Sequence, residues 1–236
     1  MPHELSAGES LSIVLPVYRN REQLPELLAR LETMLTGTGL AWEIVCVEDG
    51  GGDGSREWLA ERAASDERLV LVANPRNLGQ HAAIVRGLRA ARGGRVVVMD
   101  ADLQDAPEDV PTLLAAWRPG LGAVFARRST AYQPALRDWT GRQFKRLVRR
   151  LVGPGLPVGV GTFVLLGAEA RERIAARDEA RPYLPLAIVR TGLLVESVAI
   201  EKRGRSARRS AYSALARLRL AWQALRAALG WRLGRP

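Results

Sequence analysis

Residues Val96–Asp109 read VVVMDADLQDAPED. Three valines and a methionine run without a break into Asp100, Asp102 and Asp105. A short apolar run bounded by turn-forming residues predicts a buried strand, and Pro107 fits the first turn of a helix behind it. Buried strands do not ordinarily end in clustered like charges, so the aspartates have three readings. They hold a metal, they act as an acid/base pair, or they lie in a solvated turn where Asp102 or Asp105 caps the helix. Asp100 and Asp102 can aim at one point as the strand opens, and two hard anionic oxygens suit Mg2+ or Mn2+. Gln104 would add a neutral oxygen. Acid/base carboxylates usually come from separate elements flanking a substrate, which disfavours the second reading. The cap and the metal both remain open on this segment alone.

The same kind of strand end recurs upstream. Strands are expected at Ser12–Val17, Glu43–Glu48, Leu69–Ala73, Arg95–Met99 and Gly122–Ala126. Between them, helical spacing is expected over Arg21–Leu35, Ser55–Ala64, Leu78–Ala91 and Pro107–Trp117, with Asp53 and Ser55 as caps for the second. This alternation predicts a mainly parallel α/β sheet with helices on both faces. Ligands of such sheets sit beyond the carboxyl ends of the strands. There the sequence places Pro16-Val17-Tyr18, Glu48-Asp49-Gly50-Gly51, Asn74 with Arg76, Asn77 and Gly79, and Asp100-Ala101-Asp102. One such turn means little, since Asp, Asn and Gly build turns everywhere. Four converging on one edge point to a site.

After Arg128 the pattern changes. Arg137–Val152 reads as a basic amphipathic helix, Gly153–Gly161 as a Gly/Pro-rich loop, Phe163–Leu166 as an apolar run and Leu193–Ile200 as a strand. An arginine-rich run, Glu201–Ser210, precedes a final helix, Ala211–Leu229, whose Leu215, Leu218, Trp222, Leu225 and Leu229 form one stripe beside Arg219 and Arg226. Residues 1–136 hold 14 Arg and 18 Asp+Glu, a charge of −4. Residues 137–236 hold 21 Lys+Arg and 7 Asp+Glu, a charge of +14, and the two halves give the net +10. Such asymmetry fits an anionic partner such as a membrane surface, nucleic acid or a phosphorylated substrate; a bias toward arginine is the plain alternative.

Other classes are disfavoured. One cysteine, Cys46, sits in an apolar run, which excludes a disulfide framework and a cysteine zinc site and suits a reducing cytosol. No signal peptide and no bilayer-spanning segment is expected. A nucleic-acid module built on Arg203–Arg209 lacks interleaved aromatics, since only Tyr212 is near. His81 is expected to be a solvated or capping residue, with phosphate contact as the alternative.

In order along the chain, Pro16-Val17-Tyr18, Glu48-Asp49-Gly50, Arg76-Asn77-Leu78-Gly79-Gln80, Asp100–Asp105, Arg128, Gly161-Thr162-Phe163, and Arg205 with Ser210 and Tyr212 carry a resemblance. From about residue 10 to 215 the chain resembles family 2 glycosyltransferases of the dolichyl-phosphate mannose synthase and bacterial polyprenyl-phosphate glycosyltransferase type. The resemblance implies a Rossmann-like GT-A fold, a nucleotide-sugar donor carrying UDP or GDP, a divalent metal (Mg2+ or Mn2+) and inversion at the anomeric carbon. Matched by position, Pro16, Tyr18 and Asp49 would line the nucleoside pocket with Glu48, and Arg76 and Gly79 would belong to the donor site. Asp100 would sit near ribose, sugar or metal. Asp102 and Gln104 would meet the metal and the diphosphate, and Arg128 a donor or acceptor phosphate. Arg205, Ser210 and Tyr212 would close over the donor. Asp105 is placed between helix cap and catalysis.

The chain also departs from the family pattern. Glu48 stands where aspartate is usual, and Arg19-Asn20 replaces the common Asn-Glu. Thr162 and Val164 stand where Asp and Arg are frequent, and Ala211 where the closing motif has lysine. These last three fall in the acceptor half and keep a nucleotide-binding, non-catalytic relative in view. A hydroxyl acceptor needs a general base, which polysaccharide-forming relatives usually supply from a late Glu-Asp pair. Here Glu-Asp occurs only at 48–49 and 108–109. A phosphate acceptor needs no strong base, so polyprenyl phosphate is the expected acceptor, and a soluble or glycan hydroxyl, with Glu201 or Asp105 as base, the alternative. The expected organisation is a catalytic domain over 1–210, divided into a nucleotide-sugar part (10–136) and an acceptor part (137–210). A helix at 211–236 would either pack its apolar stripe on the domain or lie on an anionic membrane, and the protein would be cytoplasmic, in the second case peripheral on the inner face of the cell membrane. Homo-oligomerisation is left open.

Overall fold

The computed structural model describes residues 10–128, 160–177 and 183–200, together with Pro157. The core begins with β1 (Ser10–Val17), every residue of which is buried. It pairs in parallel with β2 (Ala41–Glu48), from Ser10↔Ala41 to Val17↔Glu48. Side chains alternate across a strand, so Leu11, Ile13, Leu15 and Val17 join one core cluster and Val14 joins the other. The first face is covered by α1 (Leu24–Gly37), whose Leu24, Leu27, Leu28, Leu31 and Leu35 are all buried at helical spacing. Burial of each leucine contributes about 1.5–3 kcal/mol. The second face takes α3 (Gln80–Ala90), through Ala83, Ile84 and Leu88. Gly87 lets that helix approach closely, since a Cβ there would lie 2.4 Å from Val14 Cγ1.

Three further strands extend the sheet: β3 (Leu69–Ala73), after helix α2 (Ser55–Ser65); β4 (Arg95–Val98); and β5 (Leu121–Arg128). Beyond them come β6 (Val160–Gly167), helices α5 (Ala168–Ala175) and α6 (Leu184–Val189), and β7 (Leu194–Ile200). The strand order is β3-β2-β1-β4-β6-β5-β7. Four of the six pairings are parallel, while β6 runs antiparallel to both β4 and β5. This helix-covered, mainly parallel sheet is the expected GT-A class. The antiparallel strand was not foreseen, and it positions the site: it brings the start of β6 to the edge where β4 ends.

At the opposite edge a buried network fixes the approach to β4. Glu43 accepts from Ser12 Oγ at 2.7 Å, Arg92 N at 2.6 Å and Arg92 Nε at 2.9 Å, and Ser12 Oγ accepts from Gly93 N at 2.8 Å.

Several boundaries differ from the sequence expectation for local reasons. The helix expected from Leu78 begins at Gln80, because Leu78 and Gly79 direct their N–H groups at Asp49 and Gly79 has φ 92°. The helix expected over Pro107–Trp117 is a 3-10 turn, Pro107–Asp109, then α4 (Val110–Ala115). Pro111 has no N–H with which to continue one ladder. The strand expected at Gly122–Ala126 is longer at both ends, and Val160 and Gly161 belong to β6 rather than to a loop. Helices α5 and α6 were not anticipated; α6 is a six-residue apolar run, LPLAIV, that periodicity cannot assign. The helices expected at 137–152 and 211–229 lie outside the described residues.

Candidate functional site

The loops at the carboxyl edge are tied to one another before any ligand is considered. After β1, Tyr18 is exposed, and the Arg19 guanidinium lies 5.3 Å from its ring centroid. Arg19 takes φ 58°, and its Nε donates to Gly51 O at 3.3 Å. Asp53 accepts from Arg21 N at 2.9 Å and Ser55 N at 3.2 Å, which joins the β1 and β2 loops; the N-cap of α2 is Gly54, with no side-chain cap, rather than the expected Asp53 or Ser55. Gly50 is required where it stands: at φ 70°, a Cβ there would meet the Arg76 and Asn77 backbone at 2.8 Å.

The two carboxylates at the end of β2 hold this loop system. Glu48 accepts from Gly51 N at 2.6 Å and from Arg56 Nε at 2.9 Å, while Arg56 also reaches the Asn74 carbonyl. Asp49, also buried, accepts from Asn74 Nδ2 at 2.7 Å and from Leu78 N and Gly79 N, each at 2.8 Å. Asp49 therefore sets the path of the 74–79 loop into α3. Arg76 is exposed on that loop, and Pro16 is buried within β1.

The acidic turn follows β4. Asp100 Oδ1 accepts from Gln80 Nε2 at 2.6 Å and Thr162 Oγ1 at 3.0 Å. Thr162 is there by register: the antiparallel pair Val98↔Val164, continued two residues, sets Asp100 opposite Thr162. Asp102 accepts from Gln104 N at 3.0 Å and Gln104 Nε2 at 2.7 Å, and Leu103 between them takes φ 61°. Asp105 is buried in the same turn. The N-cap position of the 3-10 turn is occupied by Ala106, so neither Asp102 nor Asp105 stands at that position itself. The far end of the turn is pinned to α1, where Arg30 Nε and Nη2 grip Glu108 at 2.9 and 2.7 Å.

Desolvation, with Asp105 and Asp102 nearby, pushes the Asp100 carboxyl up to about 6 against the opposing hydrogen bonds of Thr162 and Gln80. Among the described residues, no group of three or more His, Cys, Asp or Glu is arranged to hold a metal ion. The donor set on offer is all oxygen (Asp100, Asp102, Gln104), and its crowded negative charge suits a hard cation that takes further ligands from phosphate or water.

His81, next to Gln80, is neither solvated nor a cap on its own helix. It is buried, and its Nδ1 accepts the N–H of Leu184 at 3.3 Å, at the start of α6. The Tyr183 ring meets it edge-on at 5.0 Å, and burial lowers its pKa to about 4. Cys46 is core, as expected. Of the remaining candidates, Arg128 ends β5 with its side chain outside the described residues, as are Arg205, Ser210 and Tyr212 entirely. Asn74, Gln80 and Thr162 stood in the sequence motifs without an assigned role, and Arg56 and Arg30 were not singled out at all. Sheet register gives Thr162 its place; the others needed the loop geometry.

The Glycosyl transferase family 2 model matches residues 12–174, which include every loop of this site. The chain belongs to that family. Among similar proteins, an uncharacterised glycosyltransferase of Synechocystis sp. is 35% identical over 175 residues, covering 74% of this chain and 55% of the relative. The undecaprenyl-phosphate 4-deoxy-4-formamido-L-arabinose transferase of Pseudomonas fluorescens is 40% identical over 144 residues, 61% of this chain and 42% of the relative. The chain thus spans about half the length of the curated relatives it matches. Among solved structures, glucosyl-3-phosphoglycerate synthase of Mycobacterium tuberculosis, in complex with Mn2+, UDP and glucosyl-3-phosphoglycerate, superposes with TM-score 0.67 at 21% identity, over 98% of this chain and 82% of that one. At that identity the likeness establishes the shared fold. Among the described residues no helix is long and apolar enough to cross a membrane.

Proposed function

We propose that the chain catalyses metal-dependent, inverting transfer of a sugar from a UDP- or GDP-sugar to a polyprenyl phosphate at an anionic membrane surface. The carrying observation is the acidic turn itself: three aspartates and Gln104 just beyond β4, in a chain of which 144 residues are 40% identical to part of a transferase whose name specifies undecaprenyl phosphate. Asp102 and Gln104 hold the Mg2+ or Mn2+ ion, with Asp100 beside them at the ion or the sugar. When bound, that ion neutralises charge growing on the leaving diphosphate. Tyr18 and Pro16 form the nucleoside wall, and Glu48 and Asp49 fix the loops that carry Arg76 and Gly79 to the donor. Asp105 bears on catalysis through the acidic turn. Arg128 meets an acceptor or donor phosphate, while Arg205, Ser210 and Tyr212 close over the donor. Residues 1–210 form the catalytic domain, and the helix at 211–236 attaches it to the inner face of the cell membrane.

The test is a donor panel of UDP- and GDP-sugars with Mn2+, run with and without undecaprenyl phosphate. Release of nucleoside diphosphate that depends on the lipid phosphate supports the proposal. Release driven only by hydroxyl acceptors would move the chain to glycan synthesis, and tight nucleotide binding without turnover would make it a binding protein. Flotation with anionic liposomes tests attachment, and protein that stays at the bottom at low salt rules it out.

A further inference from the structure

We infer that Thr162 and Gln80 are positioning residues that hold the Asp100 carboxylate in one orientation for the metal–nucleotide complex. The inference rests on the proposed reading of the acidic turn and adds to it two residues that come from outside that turn.

A carboxylate at the end of a strand is free to rotate about χ2 unless its oxygens are engaged. Here two neutral donors from separate elements meet one oxygen: Gln80 Nε2, from the first residue of α3, and Thr162 Oγ1, from β6. Both bonds fall on Oδ1; among the described residues neither of these donors engages Oδ2, the oxygen we assign to a cation or a donor hydroxyl. Each donor is itself held. Gln80 follows the turn that Asp49 fixes through Leu78 N and Gly79 N, and Thr162 is set opposite Asp100 by the β4–β6 ladder. The orientation of Asp100 is therefore inherited from β2 by way of α3 and from β6 by way of the sheet. Neutral donors also suit the task better than a cation would, because they orient the carboxylate and leave its full charge for Mg2+ or Mn2+.

The experiment is a Mn2+ titration followed by EPR in the presence of UDP, and separately of GDP. It uses the full chain as wild type, Thr162→Val, Thr162→Ser, Gln80→Met and Asp102→Ala. Thr162→Val keeps the β-branched shape and removes only the hydroxyl, and a thermal midpoint for each variant reports folding. Loss of one hydrogen bond to a charged group should weaken Mn2+–nucleotide binding about tenfold in Thr162→Val and in Gln80→Met. Thr162→Ser restores the hydroxyl and should recover wild-type affinity to within about twofold. If Thr162→Val and Gln80→Met bind as wild type while Asp102→Ala does not, the positioning role is wrong and the site reading stands. Failure of folded Thr162→Ser to recover also overturns it. If wild type takes up no Mn2+ with either nucleotide, the site reading falls, and the positioning role with it.

Discussion

Asp49 Oδ2 accepts the backbone N–H of Gly79 at 2.8 Å, across 30 positions of sequence. Its partner oxygen takes Leu78 N and Asn74 Nδ2, so one buried side chain fixes both the β2 and β3 loops. Asp49→Ala strands two backbone donors and an amide. It should cost about 1–3 kcal/mol of stability. Urea unfolding of wild type and variant measures the loss, and an unchanged midpoint would contradict the bracing role.

The Glu43 network lies at the far edge of the sheet and should separate stability from ligand binding. Glu43→Ala removes the acceptor for Ser12 and Arg92, and it should lower stability by about 2–3 kcal/mol. Nucleotide affinity of the folded fraction, measured by calorimetry below the melting range, should match wild type. A large fall in affinity would mean the two edges are coupled.

His81 makes an acid-sensitive joint between α3 and α6. Its folded pKa, about 4, lies below the ordinary 6.5, because burial disfavours the imidazolium. The unfolded chain therefore binds the extra proton first as pH falls. The contribution is intact above 6.5 and is lost progressively toward 4, at up to about 1.4 kcal/mol per pH unit. His81→Asn keeps an acceptor for Leu184 N without the titration, and its stability should fall less steeply than wild type over that window. Parallel slopes from denaturant melts at several pH values would refute this.

Some of the basic character that pointed toward an anionic partner is structural. Arg89 donates to the Ala175 and Arg177 carbonyls, at 2.9 Å each, and Arg171 donates to Ala91 O. Arg177 donates to Arg190 O at 3.0 Å, and Arg173 to Thr191 O. The C-terminal ends of α3, α5 and α6 are thus closed by guanidinium groups, which favour the negative end of a helix. Arg171→Met keeps the aliphatic stem and should cost about 1 kcal/mol. Thermal melts at low salt would show it, and a variant as stable as wild type would argue that the contact is incidental.

Much of this fold was legible because leucines at helical spacing and valines in short runs admit few arrangements. Leu24 through Leu35 announce α1, and the glycine-bounded aspartates announce the carboxyl edge. The antiparallel β6 was not legible, since Phe163–Leu166 carries no sign of its direction. Its direction alone brings Thr162 to Asp100, so a residue that looked like a departure from the family pattern lies inside the site. Glu48 and Asp49 were foreseen at the nucleoside pocket. Their protein partners are backbone amides, an asparagine and an arginine, which no residue pattern encodes. His81 misled for a related reason: its acceptor role depends on Leu184, 103 positions away.

The most direct test of the central claim, that the acidic turn after β4 is a metal-dependent nucleotide-sugar site, is sugar transfer by wild type and Asp102→Ala. Purified proteins would be assayed with Mn2+, the preferred donor and undecaprenyl phosphate, each with and without EDTA. The account predicts lipid-linked product from wild type, its loss with EDTA, and a fall of at least about a hundredfold in Asp102→Ala at unchanged thermal midpoint. Full metal-dependent transfer by Asp102→Ala would contradict it.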